Sequence, residues 1–145
     1  MKHTLLYFSF FLVVVTTGCL KTSQKDQPVP TISGTFNGQY VRYHRHITIG
    51  GWDTVKTDLT VKFSSTDNTY AVTGATTSIH ADSHGTFAIN YPFIGFTDQT
   101  YSSSDTSKVG HMVGYYNYGY DGTNLTIYVT SGDTLLVGYS LKKAN

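Results

Sequence analysis

The sequence predicts an all-β domain, an antiparallel meander of about eight strands that closes as a small barrel. Three observations predict this fold. The chain is rich in strand-forming residues, with 12 Tyr and 8 Phe, and it contains no Glu, which is a strong helix former. Apolar and polar residues alternate along much of the chain after residue 34. Short turn signals separate the alternating segments. A two-sheet β-sandwich is the alternative fold.

Eight segments have the composition or the alternation of strands. In chain order they span residues 36–49, 53–64, 70–74, 85–90, 93–97, 108–120, 124–130 and 134–142. The alternation is clearest in segment 53–64. Its apolar face consists of Val55, Leu59, Val61 and Phe63. Because side chains alternate between the two faces of a strand, this pattern indicates a half-buried antiparallel strand. Segments 36–49 and 108–120 are longer. We interpret segment 36–49 as one bent strand, and segment 108–120 is similar to it.

Turn signals connect these segments in sequence. Gly50-Gly51, Asp121-Gly122 and the runs 65–68 and 131–133 are typical of tight turns, and residues 101–107 form the clearest long loop. Tight turns between consecutive strands favour a meander. Closure of eight such strands into a barrel removes the exposed sheet edges.

The N-terminus has the pattern of a targeting signal. A basic start precedes the apolar run Leu5–Val15. Those 11 residues would measure about 16 Å as a helix, too short for a bilayer core of about 30 Å. Small residues follow, and then Cys19, the single cysteine of the chain. The run therefore indicates a signal peptide over residues 1–18.

The Gly18-Cys19 pair makes this segment resemble the signal of bacterial lipoproteins. The resemblance implies cleavage before Cys19 and attachment of acyl chains such as palmitate, which would anchor the protein to a membrane. Thr16 departs from the more usual Leu of that signal, and an ordinary signal peptide is the alternative. Because Leu20 follows the cysteine in place of the Asp that signals inner-membrane retention, we expect the outer membrane. The face of that membrane stays open.

The rest of the chain divides into two parts. Residues 19–33 are polar, with Pro28 and Pro30, and are predicted to be the lipidated cysteine and a flexible tether. Residues 34–145 are predicted to be one β-barrel domain. Without residues 1–18 the chain has nine basic and nine acidic side chains. This balance argues against a nucleic-acid partner.

The barrel segment resembles the small lipocalin-like lipoproteins of the Gram-negative bacterial envelope. The likeness lies in residues 34–38, 60–63, 84–89, 94–96, 113–118, 121–125 and 139–143. Phe36 stands where the lipocalin signature Gly-x-Trp has its Trp. The resemblance implies the barrel fold. It does not assign an activity, because one fold serves many functions.

Two histidine patterns are candidate metal ligands. His44 and His46 are two residues apart, so their rings would share one face of a strand. His80, Asp82 and His84 combine the same spacing with a carboxylate, a set that could form a zinc site. The favoured interpretation of both is exposed polar histidines, with no metal and no cofactor. We expect His111, which has apolar neighbours, to be a hydrogen-bonded strand residue.

Aromatic residues supply the candidate ligand-binding site. Tyr116, Tyr118 and Tyr120 would share one face of a strand and could stack against a flat ligand. Packing in the barrel is the favoured alternative, since Tyr is a good strand residue. The sequence contains no Gly-x-Ser-x-Gly elbow, no phosphate-binding loop and no Glu, and no Asp pair stands out by its spacing. We therefore predict that the protein is not an enzyme.

These observations lead to three functional hypotheses. The first is a membrane-anchored envelope lipoprotein that acts as a non-catalytic binding module for a small hydrophobic or aromatic ligand. The second is a structural or interaction lipoprotein whose barrel is filled and whose surface contacts an envelope partner, with the same three tyrosines as the first candidates for an exposed patch. A metal-dependent hydrolase is a remote third.

Overall fold

The computed structural model describes residues 29–46, 48–104 and 108–145. They form eight antiparallel strands, in sequence order, that close into a barrel. The strands are β1 Gly34–Arg45, β2 Trp52–Ser64, β3 Thr69–Thr73, β4 Ser83–Asn90, β5 Phe93–Asp98, β6 Gly114–Tyr120, β7 Asn124–Ser131 and β8 Leu135–Lys143. Pairing of β8 with β1 completes the barrel. The prediction of an all-β barrel is confirmed, and the sandwich alternative is wrong.

Alternating burial places one face of each strand inside the barrel. In β2 the side chains of Leu59, Val61 and Phe63 are buried, whereas Asp58 and Lys62 are exposed. The same alternation holds in β7 and in the second half of β8, as the sequence predicts. Burying the apolar face of each strand in one common core is what stabilises a closed barrel of this size.

The barrel has two different ends. The strand pairing places the start of β1, the end of β8 and the turns that follow β2, β4 and β6 at one end, which we call the tether end. The β1–β2 hairpin lies at the other end, which we call the mouth, together with the connection 74–82 and the described parts of the β5–β6 connection, residues 99–104 and 108–113. At the tether end Ile32 is only 1% exposed. The packed domain therefore begins before residue 34, and the end of the predicted tether is part of it.

Two predicted strands are shorter in the structure. β1 ends at Arg45 instead of residue 49, because the chain turns back there through Gly50 and Gly51, both at positive φ. β6 begins at Gly114, not at residue 108. Residues 108–113 belong to a connection that crosses the mouth, where Gly110 forms an isolated parallel bridge with His80. Alternation alone does not distinguish such a connection from a strand.

Close packing of β1 against β8 depends on Gly38. A Cβ atom at this position would lie 2.0 Å from the carbonyl oxygen of Ser140. Only glycine therefore allows the two strands to approach this closely where the barrel closes.

The predicted signal peptide, Cys19 and the first part of the tether lie outside the described residues. Among the described residues, no helix has the length and apolar character needed to cross a membrane.

Candidate functional site at the barrel mouth

Two connections cover the mouth and are bonded to each other. The amide of Ala81 donates to the carbonyl of Gly110 at 2.9 Å, and the amide of Gly110 donates to the carbonyl of Ile79 at 2.8 Å. A side chain at Gly110 would collide with the Tyr40 hydroxyl, which lies 2.6 Å from the position of a Cβ atom. The two connections therefore form a fitted cover over the aromatic core.

His80 is the buried anchor of this cover. Its Nδ1 lies 2.7 Å from the carbonyl oxygen of Ala81, and its Nε2 lies 2.9 Å from the hydroxyl of Tyr139. Because a carbonyl oxygen only accepts, Nδ1 carries the proton and Nε2 accepts a hydrogen bond from Tyr139. Burial lowers the pKa of His80 and raises the pKa of Tyr139 well above its usual value, so both groups are neutral at pH 7. The pair is an uncharged hydrogen bond inside the barrel.

A second buried pair joins the end of β5 to the same cover. The Oδ2 of Asp98 lies 2.9 Å from Nδ1 of His111. Its Oδ1 accepts from the amide and the hydroxyl of Thr100 at 2.7 and 2.6 Å. Burial by itself would raise the pKa of Asp98, but the hydrogen bonds from Thr100 and His111 outweigh it and hold that pKa below its usual value.

In the Asp98–His111 pair a buried carboxylate orients a histidine ring, as in general-base arrangements. The ring of Tyr101 packs edge-on against His111, with ring centroids 5.2 Å apart. Among the described residues, no hydroxyl or thiol is hydrogen-bonded to the other nitrogen of His111. Catalysis of the serine-histidine type needs such a nucleophile. The prediction that His111 is hydrogen-bonded is confirmed, but it precedes β6 and is not a strand residue.

The β1–β2 hairpin continues the inner face of the barrel past the mouth. His44 pairs with Asp53 across the two strands, and Arg42 pairs with Val55. Arg42 and His44 lie at even spacing along β1 from the buried Tyr40, so their side chains are on the same, inner face. Val55 and Asp53 lie directly opposite them on β2 and share that face. Arg42 Nη1 donates to the carbonyl of Lys108 at 2.5 Å and so connects β1 with the β5–β6 connection.

A cavity of about 390 Å³ lies between this hairpin and the cover. Its lining residues are Arg42, His44, Asp53, Val55, Lys108 and Leu135. The volume lies within the range of small-molecule sites, about 300–1,000 Å³. We call this cavity the mouth pocket. It combines two cationic side chains, one imidazole, one carboxylate and two aliphatic side chains.

The structure separates the three residues of the predicted His80-Asp82-His84 set. His80 is fully buried and bonded to Tyr139, while Asp82 and His84 are exposed. The expectation that His80 is an exposed polar residue is wrong. Its apolar neighbours Ile79 and Ala81 were the sequence signal that could have indicated burial.

The predicted tyrosine site lies inside the barrel. Tyr116 and Tyr118 are buried and Tyr120 is partly buried against the same core, so all three share the inner face of β6. They therefore do not form an outer patch. Tyr115, their neighbour on the other face, is 80% exposed.

The outer face of the hairpin carries a second, shallow depression. Tyr43, Trp52, Thr54 and Leu136 line a space of about 400 Å³. Trp52 is 54% exposed there, an unusual position for the one Trp of the chain.

Comparison of the chain with protein-family models, with curated proteins and with solved structures found no match.

Proposed function

We propose that the protein is a lipid-anchored lipoprotein of the bacterial envelope whose barrel is a non-catalytic binding module. The observation that carries this proposal is the mouth pocket, a cavity of small-ligand size on the inner face of the hairpin. The ligand would bind at the mouth and not deep in the barrel.

The contacts within the core support this placement. Rings fill the middle of the barrel and touch in series, with centroid distances of 5.6 Å for Phe36–Phe63, 5.1 Å for Tyr70–Phe96, 5.8 Å for Phe96–Tyr116 and 6.1 Å for Tyr116–Tyr139. These separations are typical of favourable edge-to-face contacts. A ligand in that space would have to displace them.

The lining of the mouth pocket indicates the chemistry of the ligand. Val55 and Leu135 offer apolar contact, which fits the small hydrophobic or aromatic ligand expected from the sequence. Among the described residues, the guanidinium of Arg42 has no carboxylate partner within 4 Å, and Lys108 adds a second positive charge. We therefore propose a ligand with an apolar or aromatic body and one anionic group.

The proposed anchor is compatible with this site. β1 begins at the tether end, so a chain lipidated at Cys19 would enter the barrel at the end opposite the mouth. The tether would then join the barrel away from the mouth pocket and would leave the pocket unobstructed. Two or more acyl chains on Cys19 would hold the protein stably on the bilayer, whereas one chain would not.

The test is native mass spectrometry of residues 20–145, which contain every strand of the barrel, after incubation with an envelope extract of the source cell. We expect a reproducible added mass that organic solvent removes. Because a hydrogen bond to a charged group contributes about 1.5–3 kcal/mol, Arg42→Met should lower the affinity for the recovered ligand at least about tenfold. Lys62→Met removes a cation from the exposed face of β2 and should leave it unchanged. If the protein shows only its own mass after incubation with every extract, the proposal is contradicted.

The outer depression favours one alternative, an interaction lipoprotein that contacts an envelope partner. Trp52 is exposed beside Tyr43 and Leu136, and Trp is enriched at the centres of interfaces. If a partner binds there, Trp52→Ala should abolish its capture in crosslinked envelopes, and Tyr115→Ala, on a different part of the surface, should not.

A further inference from the structure

The tip of the β1–β2 hairpin gathers two imidazoles and a carboxylate. One ligand atom from each of His44, His46 and Asp53 lies within 4.8 Å of the other two. His44 and Asp53 are directly opposite each other on the paired strands, and His46 is diagonal to Asp53. Such positions bring side chains within reach of one another on one face of a sheet. The strand register therefore adds Asp53 to the His44–His46 pair, a third member that the sequence spacing does not reveal.

Contacts already present hold the three groups together. Nε2 of His46 lies 2.6 Å from Oδ2 of Asp53. The rings of His44 and His46 meet edge to face with centroids 5.8 Å apart. The backbone below them is fixed, because the amide of His46 donates to Gly51 and the amide of Arg45 donates to Thr134 at 2.7 Å.

We propose that His44, His46 and Asp53 bind one divalent transition-metal ion of the Zn²⁺ or Cu²⁺ type. Imidazole nitrogens suit both ions, and a carboxylate oxygen is a common third ligand of zinc. Three protein ligands leave at least one coordination position for water or another donor. The ligand set contains no sulfur, which distinguishes it from a site that would use Cys19.

The location of the cluster suggests what could occupy the open coordination position of the metal. His44 and Asp53 also line the mouth pocket, beside Arg42 and Lys108. A bound ion would add positive charge to a pocket that these two cations also line. An anionic group in the pocket would then complete the coordination of the metal. This last step rests on the proposed function, whereas metal binding itself does not.

The test is isothermal titration calorimetry of the full chain, purified in detergent. ZnCl₂ and CuCl₂ are titrated into the protein in separate experiments. We expect one equivalent to bind. Removal of even an outer-shell partner of a metal ligand costs about 10–100-fold in affinity, so His44→Ala and Asp53→Asn should each weaken binding at least about tenfold. His84→Ala removes an exposed histidine elsewhere and should not change it. Because His44 and Asp53 are exposed, all three variants should keep the wild-type unfolding midpoint.

X-ray absorption at the zinc edge provides the independent measurement. We expect nitrogen and oxygen scatterers at about 2.0–2.2 Å and no sulfur at about 2.3 Å. Absence of binding, equal binding by wild-type and His44→Ala protein, or a sulfur ligand would each overturn the proposal. The proposed ligand of the mouth pocket plays no part in this experiment, so either proposal can fail without the other.

Discussion

The hydroxyl of Tyr139 donates a hydrogen bond of 2.9 Å to Nε2 of His80, and this bond joins strand β8 to the cover of the mouth. Both groups are buried and neutral, and neither can be rehydrated without opening the barrel. The bond therefore couples the position of the 74–82 connection to the core.

Replacement of Tyr139 by Phe should destabilise the barrel by about 1–3 kcal/mol, because it leaves the buried Nε2 of His80 without a partner. Tyr118→Phe is the matched control. Its hydroxyl is also buried but has no hydrogen-bond partner among the described residues, so its removal should be neutral or stabilising. Urea unfolding of both variants measures the difference, and equal losses of stability would show that the Tyr139–His80 bond contributes nothing.

The stability of the barrel should fall as the pH is lowered from 7 to 5. Burial lowers the pKa of His80 in the folded state, so below pH 6.5 the unfolded chain binds a proton at this residue before the folded chain does. The loss from this group is at most about 1.4 kcal/mol for each unit between the two pKa values. In the His80→Gln variant the free energy of unfolding should lose this part of its dependence on pH, whereas the His84→Gln variant should keep it. If the stability of His80→Gln depends on pH as strongly as that of the wild type, His80 is not the source of the dependence.

Asp98→Asn should destabilise the protein by about 2 kcal/mol or more, because the buried carboxylate accepts from Thr100 and His111. The pKa of Asp98 is lower in the folded state, so this contribution is present above about pH 4 and is lost as the pH falls through the lowered value. The exposed control Asp82→Asn should change stability by less than about 0.5 kcal/mol. Thermal unfolding at pH 7 and pH 3 would measure both effects, and identical pH profiles for wild-type and Asp98→Asn protein would contradict this account.

Gly38→Ala should destabilise the barrel by about 1–3 kcal/mol or more, since its Cβ would meet the backbone of β8 at 2.0 Å. Gly119→Ala is the control, because a Cβ there meets nothing within 4 Å. Denaturant midpoints should fall for the first variant and stay within about 0.5 kcal/mol for the second. Equal midpoints would mean that β1 and β8 can separate without cost.

Cys19→Ser should remove the lipid anchor, and with it the acyl mass, from the protein in the source cell. The reason is that the acyl chains, which would give the protein its membrane affinity, would be attached to this residue. Intact mass measurement of the wild-type protein should show the added acyl mass on the peptide that begins at Cys19. A wild-type chain without that mass would contradict lipidation.

The sequence predicted the strands well because burial alternates with a period of two wherever one face is covered. β2, with Val61 and Phe63 inside and Lys62 outside, is the clearest case. The mouth was not predictable in the same way. Asp98 meets His111, and His46 meets Asp53, only after strand pairing and chain reversal bring them together. His80 looked polar and exposed because its partner, Tyr139, lies 59 residues away.

Both termini of the barrel emerge at the tether end, where Phe36 pairs with Lys143 and the amide of Ala144 donates to Thr35. A reporter or affinity tag fused after Asn145 would therefore sit beside the point where the proposed anchor enters. The hairpin would stay unobstructed on the far side. Fusions at the C-terminus are thus suited to mapping membrane sidedness, and a label inserted near Gly50 would report on the opposite pole of the molecule.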